Sequence, residues 1–175
     1  MKVLLINGSP RQEGNTATAL KEVAKQLSSE GIDSEIVWIG NKPIRGCIAC
    51  GQCKAQGLGR CIFDDDSCNK ISEKFKEAHA LIVGSPVYYA SANATLIALL
   101  DRLFYSTKFD KTMKVGASVV SARRGGLSST FDELNKYFTI CGMPVASGQY
   151  WNSIHGANAD DALQDAEGLQ SMRTL

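Results

Sequence analysis

Five short apolar runs alternate with amphipathic helical patterns along the chain, and that rhythm leaves few folds open. Lys2 to Ile6 is a continuous apolar run, as expected of a strand buried on both faces. A helix follows from about Thr16, with Leu20, Val23, Ala24 and Leu27 on one face and Gly31 as its stop. Ser34 to Ile39 reads as a second strand, and a helix near Ser67 places Cys68, Ile71, Phe75 and Ala78 together. Ala80 to Val83 is a third strand, ending at Gly84-Ser85-Pro86, and Thr95 to Phe104 is a strongly apolar helix. Lys114 to Val120 is a fourth strand, followed by a helix over Leu127 to Ile140. Met143 to Tyr150 is a fifth strand, and the tail from Ala159 to Leu175 reads as a final helix. Strands that alternate with helices form a parallel sheet covered on both faces. Right-handed crossovers then favour an α/β doubly wound five-stranded sheet ordered 2-1-3-4-5. Residues 41–66 break the rhythm and read as a Cys-rich insertion after strand two. The whole chain, 1–175, is expected to be one domain.

The formal net charge of +1 provides no global field for nucleic acid or an anionic membrane. No stretch is apolar enough to span a bilayer. The apolar run at the N-terminus is too short for a signal peptide and no cleavage site follows it, so a cytoplasmic location is expected. Under reducing conditions the six cysteines should not form structural disulfides.

Ligands of doubly wound sheets bind at the carboxyl ends of the strands, near the switch in strand order. The loop after strand one runs from Gly8 to Thr16 and suits an anion. Backbone N–H groups and a helix start converge there, Ser9, Asn15 and Thr16 add neutral donors, and Arg11 is the loop's one cation. A Walker loop fits worse, since five residues separate Gly8 from Gly14 and no Lys follows. Ser9-Pro10 after Gly8 excludes the dinucleotide fingerprint, and no cysteine is present to act as a phosphatase nucleophile. The competing reading is a capped helix start with a polar turn. After strand three, Tyr88 and Tyr89 stand where a planar ligand would lie; the competing reading is that one packs inward and the other covers the helix start. After strand five comes His155, a candidate to orient substrate or pass a proton, or else a surface histidine.

Three segments together carry a resemblance. They are Gly8-Ser9-Pro10-Arg11-x-x-Gly14-Asn15-Thr16, Gly84-Ser85-Pro86-Val87-Tyr88-Tyr89 and Leu100-Asp101-Arg102-Leu103-Phe104. In this order they resemble the NAD(P)H-dependent FMN reductase family, whose members are flavodoxin-like, and the resemblance covers nearly the whole chain. It implies that Ser9, Arg11, Asn15 and Thr16 hold the FMN phosphate, and that Pro86, Val87, Tyr88 and Tyr89 border the flavin ring. It brings the loop Ser121 to Gly126 to the pyrimidine edge of the ring. There Gly125 and Gly126 permit close backbone approach, and N–H groups or an Arg such as Arg124 would stabilise an anionic reduced flavin. It also implies a homodimer or homotetramer whose neighbouring subunits complete the flavin site. Similar proteins usually carry the last helix further, which raises a truncated C-terminus.

Cys47, Cys50, Cys53 and Cys61 fall within fifteen positions as C-x2-C-x2-C-x7-C. That spacing lets three thiolates converge on one cubane with a fourth ligand nearby. The pattern resembles the compact motif of iron–sulfur flavoproteins, a branch of the same family, which implies a [4Fe–4S] cluster. Four sulfurs would equally satisfy zinc, and a loop of free thiols is the third reading. Cys68 and Cys141 fall on apolar helix faces and read as core. The expected function is an FMN-dependent oxidoreductase, with NAD(P)H as the small-molecule donor and a quinone, flavin, metal or protein as acceptor. The alternative is an electron-transfer module with no fixed small substrate, partnered by a redox protein. A non-catalytic nucleotide-binding domain is the third hypothesis.

Overall fold

A computed structural model describes residues 1–175. The first strand, β1 (Lys2–Asn7), shows why the chain folds in layers. Its side chains alternate between two cores, as a period of two requires. Leu4 and Ile6 join one cluster with Leu81, Val83 and Val120; Val3 and Leu5 join another with Ile82, Ala117 and Val119. The first cluster is covered by α3 (Cys68–Glu77), α4 (Ala94–Ser106) and α5 (Leu127–Thr139). The second is covered by α1 (Asn15–Ser29) and α6 (Ala166–Thr174). Because both faces are buried, these strands need continuous apolar sequence rather than an alternating one.

β1 lies parallel between β2 (Asp33–Trp38) and β3 (Ala80–Tyr88), with Val3 opposite Ser34 on one side and Ala80 on the other. β3 pairs in parallel with β5 (Val115–Ala122), and β5 with β6 (Ser153–His155). The order is β2-β1-β3-β5-β6. A two-residue strand, β4 (Ser91–Ala92), folds back antiparallel on the end of β3. With that short arm set aside, this is the flavodoxin-like doubly wound sheet, its switch point between β1 and β3. No helix is long and apolar enough to cross a membrane.

Three elements differ from the sequence reading. Met143 to Tyr150 makes only an isolated bridge, Val145 opposite Gly116, and the last strand forms later, at Ser153–His155. Pro144 has no N–H to donate, so its contribution to the edge is a carbonyl that accepts from Gly116 N at 2.9 Å. The chain then leaves the sheet to meet α6, where a Cβ on Gly148 would stand 2.9 Å from Thr174 Oγ1. The tail is two helices, a 3-10 turn at Asp161–Gln164 and then α6. Asp165 breaks it by capping α6, its carboxylate accepting from Gly168 N at 2.9 Å. Finally, the insertion at 41–66 contains one short helix, α2 (Gln52–Ala55), at the middle of the cysteine cluster.

Candidate functional site

The loop from Gly8 to Gly14 is shaped by two buried asparagines. Asn7, 1% exposed, accepts from Ser9 N at 3.1 Å through its side-chain oxygen and donates to Gln12 O at 3.2 Å. Asn93 donates to Gly8 O at 2.7 Å, while its side-chain oxygen caps α4 at Thr95 N. Ser85 Oγ accepts from Asn93 N at 3.0 Å, which ties the loop after β1 to the end of β3. A Cβ on Gly8 would stand 2.8 Å from Gly84 O, so only glycine allows the two strand ends to approach. Trp38 Nε1 donates to Ser9 O at 2.7 Å from the other flank. These partners fix the loop and leave the first N–H groups of α1 pointing out of its end. No acidic residue occupies the first turn of α1 to compete for an anion there.

The cradle opens on a cleft of about 210 Å³ at the carboxyl edge of the sheet. Ser9, Arg11, Asn15 and Thr16 form its first wall, Pro86, Val87 and Tyr88 its second, and Ser121, Ala122 and Arg123 its third. Gly156 and Ala157 close the fourth side. Thr16 Oγ1 and Ser121 Oγ share a hydrogen bond at 2.7 Å, so the first and third loops hold each other. Asn15 is anchored by accepting from Ala162 N at 3.2 Å. Hydroxyls, helix N–H groups and Arg11 suit a phosphate dianion, and the Pro86–Tyr88 strand end offers a flatter, more apolar wall beside it.

The structure brings eight of the expected residues to this cleft: Ser9, Arg11, Asn15, Thr16, Pro86, Val87, Tyr88 and Ser121. Tyr89 lies elsewhere. It is fully exposed at the tip of the β3–β4 hairpin, with φ at 51° and Ala90 following at 61°. Arg124 and Gly125 are exposed and do not line the cleft, and Arg123 takes the place on its wall. Gly126 is a support: a Cβ there would come within 2.7 Å of Ala90 Cα, under the hairpin. That hairpin is held from α5 by Glu133, which accepts from Ala92 N at 2.8 Å and from Ser91 Oγ at 2.9 Å. His155 does not line the cleft. It faces a separate polar pocket with Tyr150, Asp165 and Glu167, and its Nδ1 is 3.4 Å from Asp165 Oδ2. Burial works against the charge on Asp165. The N–H groups of Gly168 and His155 and the imidazole outweigh it, and hold the carboxyl below the usual range. Asn7, Asn93 and Glu133 escaped the sequence reading. Asn7, directly after a strand and before a turn, carried the one usable signal.

The four clustered cysteines surround one small pocket, roofed by Ile48 and Ile62 and backed by Arg102, Tyr105 and Ser106 of α4. Cys47 and Cys50 are exposed; Cys53 and Cys61 are each 7% exposed. Arg102, 1% exposed, holds the loop from behind. Its guanidinium donates to Arg45 O at 3.1 Å, to Phe63 O at 2.9 Å, to the Asp66 carboxylate and to Cys61 Sγ at 3.2 Å. No group of three or more His, Cys, Asp or Glu side chains is close enough to hold a single metal ion. A tetrahedral zinc site with bonds of about 2.3 Å needs its sulfurs about 3.8 Å apart, whereas a cubane spaces its thiolates more widely. Four thiols round one apolar pocket, with the buried Ser106 hydroxyl unpartnered at its wall, fit the larger group. Cys68 does not line the pocket, and burial pushes its thiol up to about 12, as expected of an inert core residue.

A model of the NADPH-dependent FMN reductase family matches residues 1–158. An iron-sulfur flavoprotein of Methanocaldococcus jannaschii is 35% identical over 183 residues, covering 100% of this chain and 93% of that protein. Another, from Methanosarcina thermophila, is 33% identical over 176 residues, covering 98% and 90%. The solved structure of an NAD(P)H:quinone oxidoreductase from Methanothermobacter marburgensis superposes with a TM-score of 0.71 at 16% identity, across 99% of this chain and 92% of that one. At that identity the likeness shows the fold alone. The family match spans the cradle, the end of β3 and the loop after β5, so all the cleft walls fall inside it. This chain therefore belongs to the NADPH-dependent FMN reductase family and is an FMN flavoprotein oxidoreductase.

Proposed function

We propose that the 175-residue chain acts as one FMN-binding unit that accepts electrons from NAD(P)H and delivers them to a quinone, a flavin, a metal or a redox protein. Bound FMN supplies two-electron uptake and one-electron release. The protein's part is to bind and orient. Ser9, Arg11, Asn15 and Thr16 take the phosphate on the helix start. Pro86, Val87 and Tyr88 bound one side of the ring, and Ser121 and Arg123 approach it from the next loop. The single observation that supports this best is that three separate strand ends bring these residues to one solvent-open cleft at the switch point. His155 has no part in this reading, because Asp165 engages it outside the cleft.

A second reading is an iron–sulfur flavoprotein that serves as an electron-transfer module. The shared pocket of Cys47, Cys50, Cys53 and Cys61 favours it. These residues would hold a [4Fe–4S] cluster, a one-electron carrier. Assembly as a homodimer or homotetramer belongs to both readings. The test is the visible spectrum, iron and acid-labile sulfide of anaerobically reconstituted protein, with light scattering on the same sample. Steady-state oxidation of NADH and NADPH with quinone or ferricyanide then separates the two readings. Fast turnover with a small acceptor marks the first, and full FMN and iron without turnover marks the second. A colourless chain that FMN does not reconstitute would overturn both.

A further inference from the structure

We propose that Arg102 and Ser106 on α4 are positioning residues that set the reduction potential of the cysteine pocket by donating hydrogen bonds to its sulfurs. This rests on the reading that the four cysteines hold an iron–sulfur cluster. The two residues are four apart, so they project from one face of the helix, and both line the pocket. Arg102 already spends one donor there, Nε to Cys61 Sγ at 3.2 Å. Its other bonds reach Arg45 O before the cluster motif and Phe63 O and Asp66 after it. The guanidinium is therefore fixed in place, and its fork cannot swing away from the sulfur.

Ser106 is the sharper observation. It is 5% exposed, and its hydroxyl has no partner within the protein. A helical serine or threonine ordinarily satisfies itself on the carbonyl one turn back. Thr107 does so, donating to Leu103 O at 2.8 Å, but Ser106 does not. Its hydroxyl is left at the wall of a mostly apolar pocket that all four clustered cysteines line. No cysteine sulfur is its partner within the protein, so the acceptor that suits it is a sulfide of the bound cluster. Donors to cluster sulfurs favour the more negative, reduced state, so each raises the reduction potential. Neither residue touches the FMN cleft, so each can be altered without touching the phosphate cradle.

The experiment uses the full chain, reconstituted anaerobically with FMN, iron and sulfide. Ser106→Ala should retain wild-type iron, sulfide and FMN content. Its cluster should be harder to reduce, with the equilibrium against a reference dye shifted roughly two- to tenfold, tenfold being 59 mV for one electron. The EPR signal of the reduced protein should shift with it. Arg102→Lys, which keeps the charge and loses the fork, should shift the potential the same way. Full iron with wild-type potential and EPR in Ser106→Ala overturns the inference and leaves the cluster reading standing. Wild-type protein that takes up FMN but no iron overturns the cluster reading and this inference with it.

Discussion

Arg11 is an exposed cation on the wall of the cleft, and its value lies in charge and reach rather than in packing. A charged hydrogen bond to a phosphate is worth about 1.5–3 kcal/mol, or roughly ten- to 150-fold in affinity. Arg11→Ala should weaken FMN binding by that factor in a fluorescence titration, while Arg124→Ala should leave it within about twofold, well inside the per-contact range. Equal losses in the two variants would remove the phosphate site from this loop. The contrast between Arg123 and Arg124 also shows where sequence stops being informative. Arg123 lines the cleft and its neighbour Arg124 does not, and no spacing in the sequence distinguishes two adjacent arginines on a turn. Ser9, Arg11, Asn15 and Thr16 were legible because anion chemistry restricts residue types along a contiguous loop. Asn7 and Asn93 were not, because they act through backbone partners brought together only by the fold.

At the scale of elements, the second wall of the cleft is a strained hairpin held by its neighbour. Tyr89 and Ala90 both adopt positive φ, a conformation that costs non-glycine residues of order 1–3 kcal/mol each. Glu133, and Ser129 Oγ donating to Ala90 O at 2.8 Å, keep the turn in place from α5. Gly126 starts that helix at φ +89°, directly beneath Ala90. Gly126→Ala should cost about 1–3 kcal/mol in urea denaturation and shift the flavin spectrum, since the hairpin must lift. Unchanged stability and spectrum would show that the hairpin does not depend on α5. The last helix has its own dependence, on the Asp165 cap. Its carboxyl titrates below the usual value, so its stabilisation is full above the unfolded pKa of about 3.9 and is lost as pH falls through the lower folded value. Asp165→Ala should cost about 1 kcal/mol at pH 7, and the two proteins should converge in acid. A difference that persists unchanged to pH 2 would assign the loss to packing instead. This cap is also what divided a tail that reads as one helix, because periodicity records apolar faces and not where a carboxylate stops the ladder.

For the whole molecule, the sheet order was readable because buried parallel strands demand apolar runs and right-handed crossovers leave few ways to order them. The last strand, Ser153–His155, does not overlap the run Met143 to Tyr150 that the sequence suggests, because an edge strand is specified weakly, by one neighbour only. The pocket of cysteines was legible as a motif but not as a place. Its floor comes from α4, through Arg102 and Ser106, and no local spacing announces that contact. The cleft, likewise, exists only once β1, β3 and β5 end side by side, so occupying it should report on the fold as a unit. At an FMN concentration 100 times Kd, the folded state gains about 2.7 kcal/mol by mass action. A chain of this size moves about 2–4 °C in Tm per kcal/mol, so the FMN-loaded protein should melt roughly 5–11 °C above the FMN-free protein. Arg11→Ala provides the control, since a tenfold weaker Kd leaves a gain of only about 1.4 kcal/mol at the same FMN concentration. The variant should therefore share the FMN-free Tm of the wild type and lose about half or more of the increment. Coincident FMN-free and FMN-loaded melting curves in the wild type would mean that the cleft does not bind FMN, whatever the colour of the preparation. An increment that survives intact in Arg11→Ala would keep FMN in the molecule but move its phosphate off the first loop.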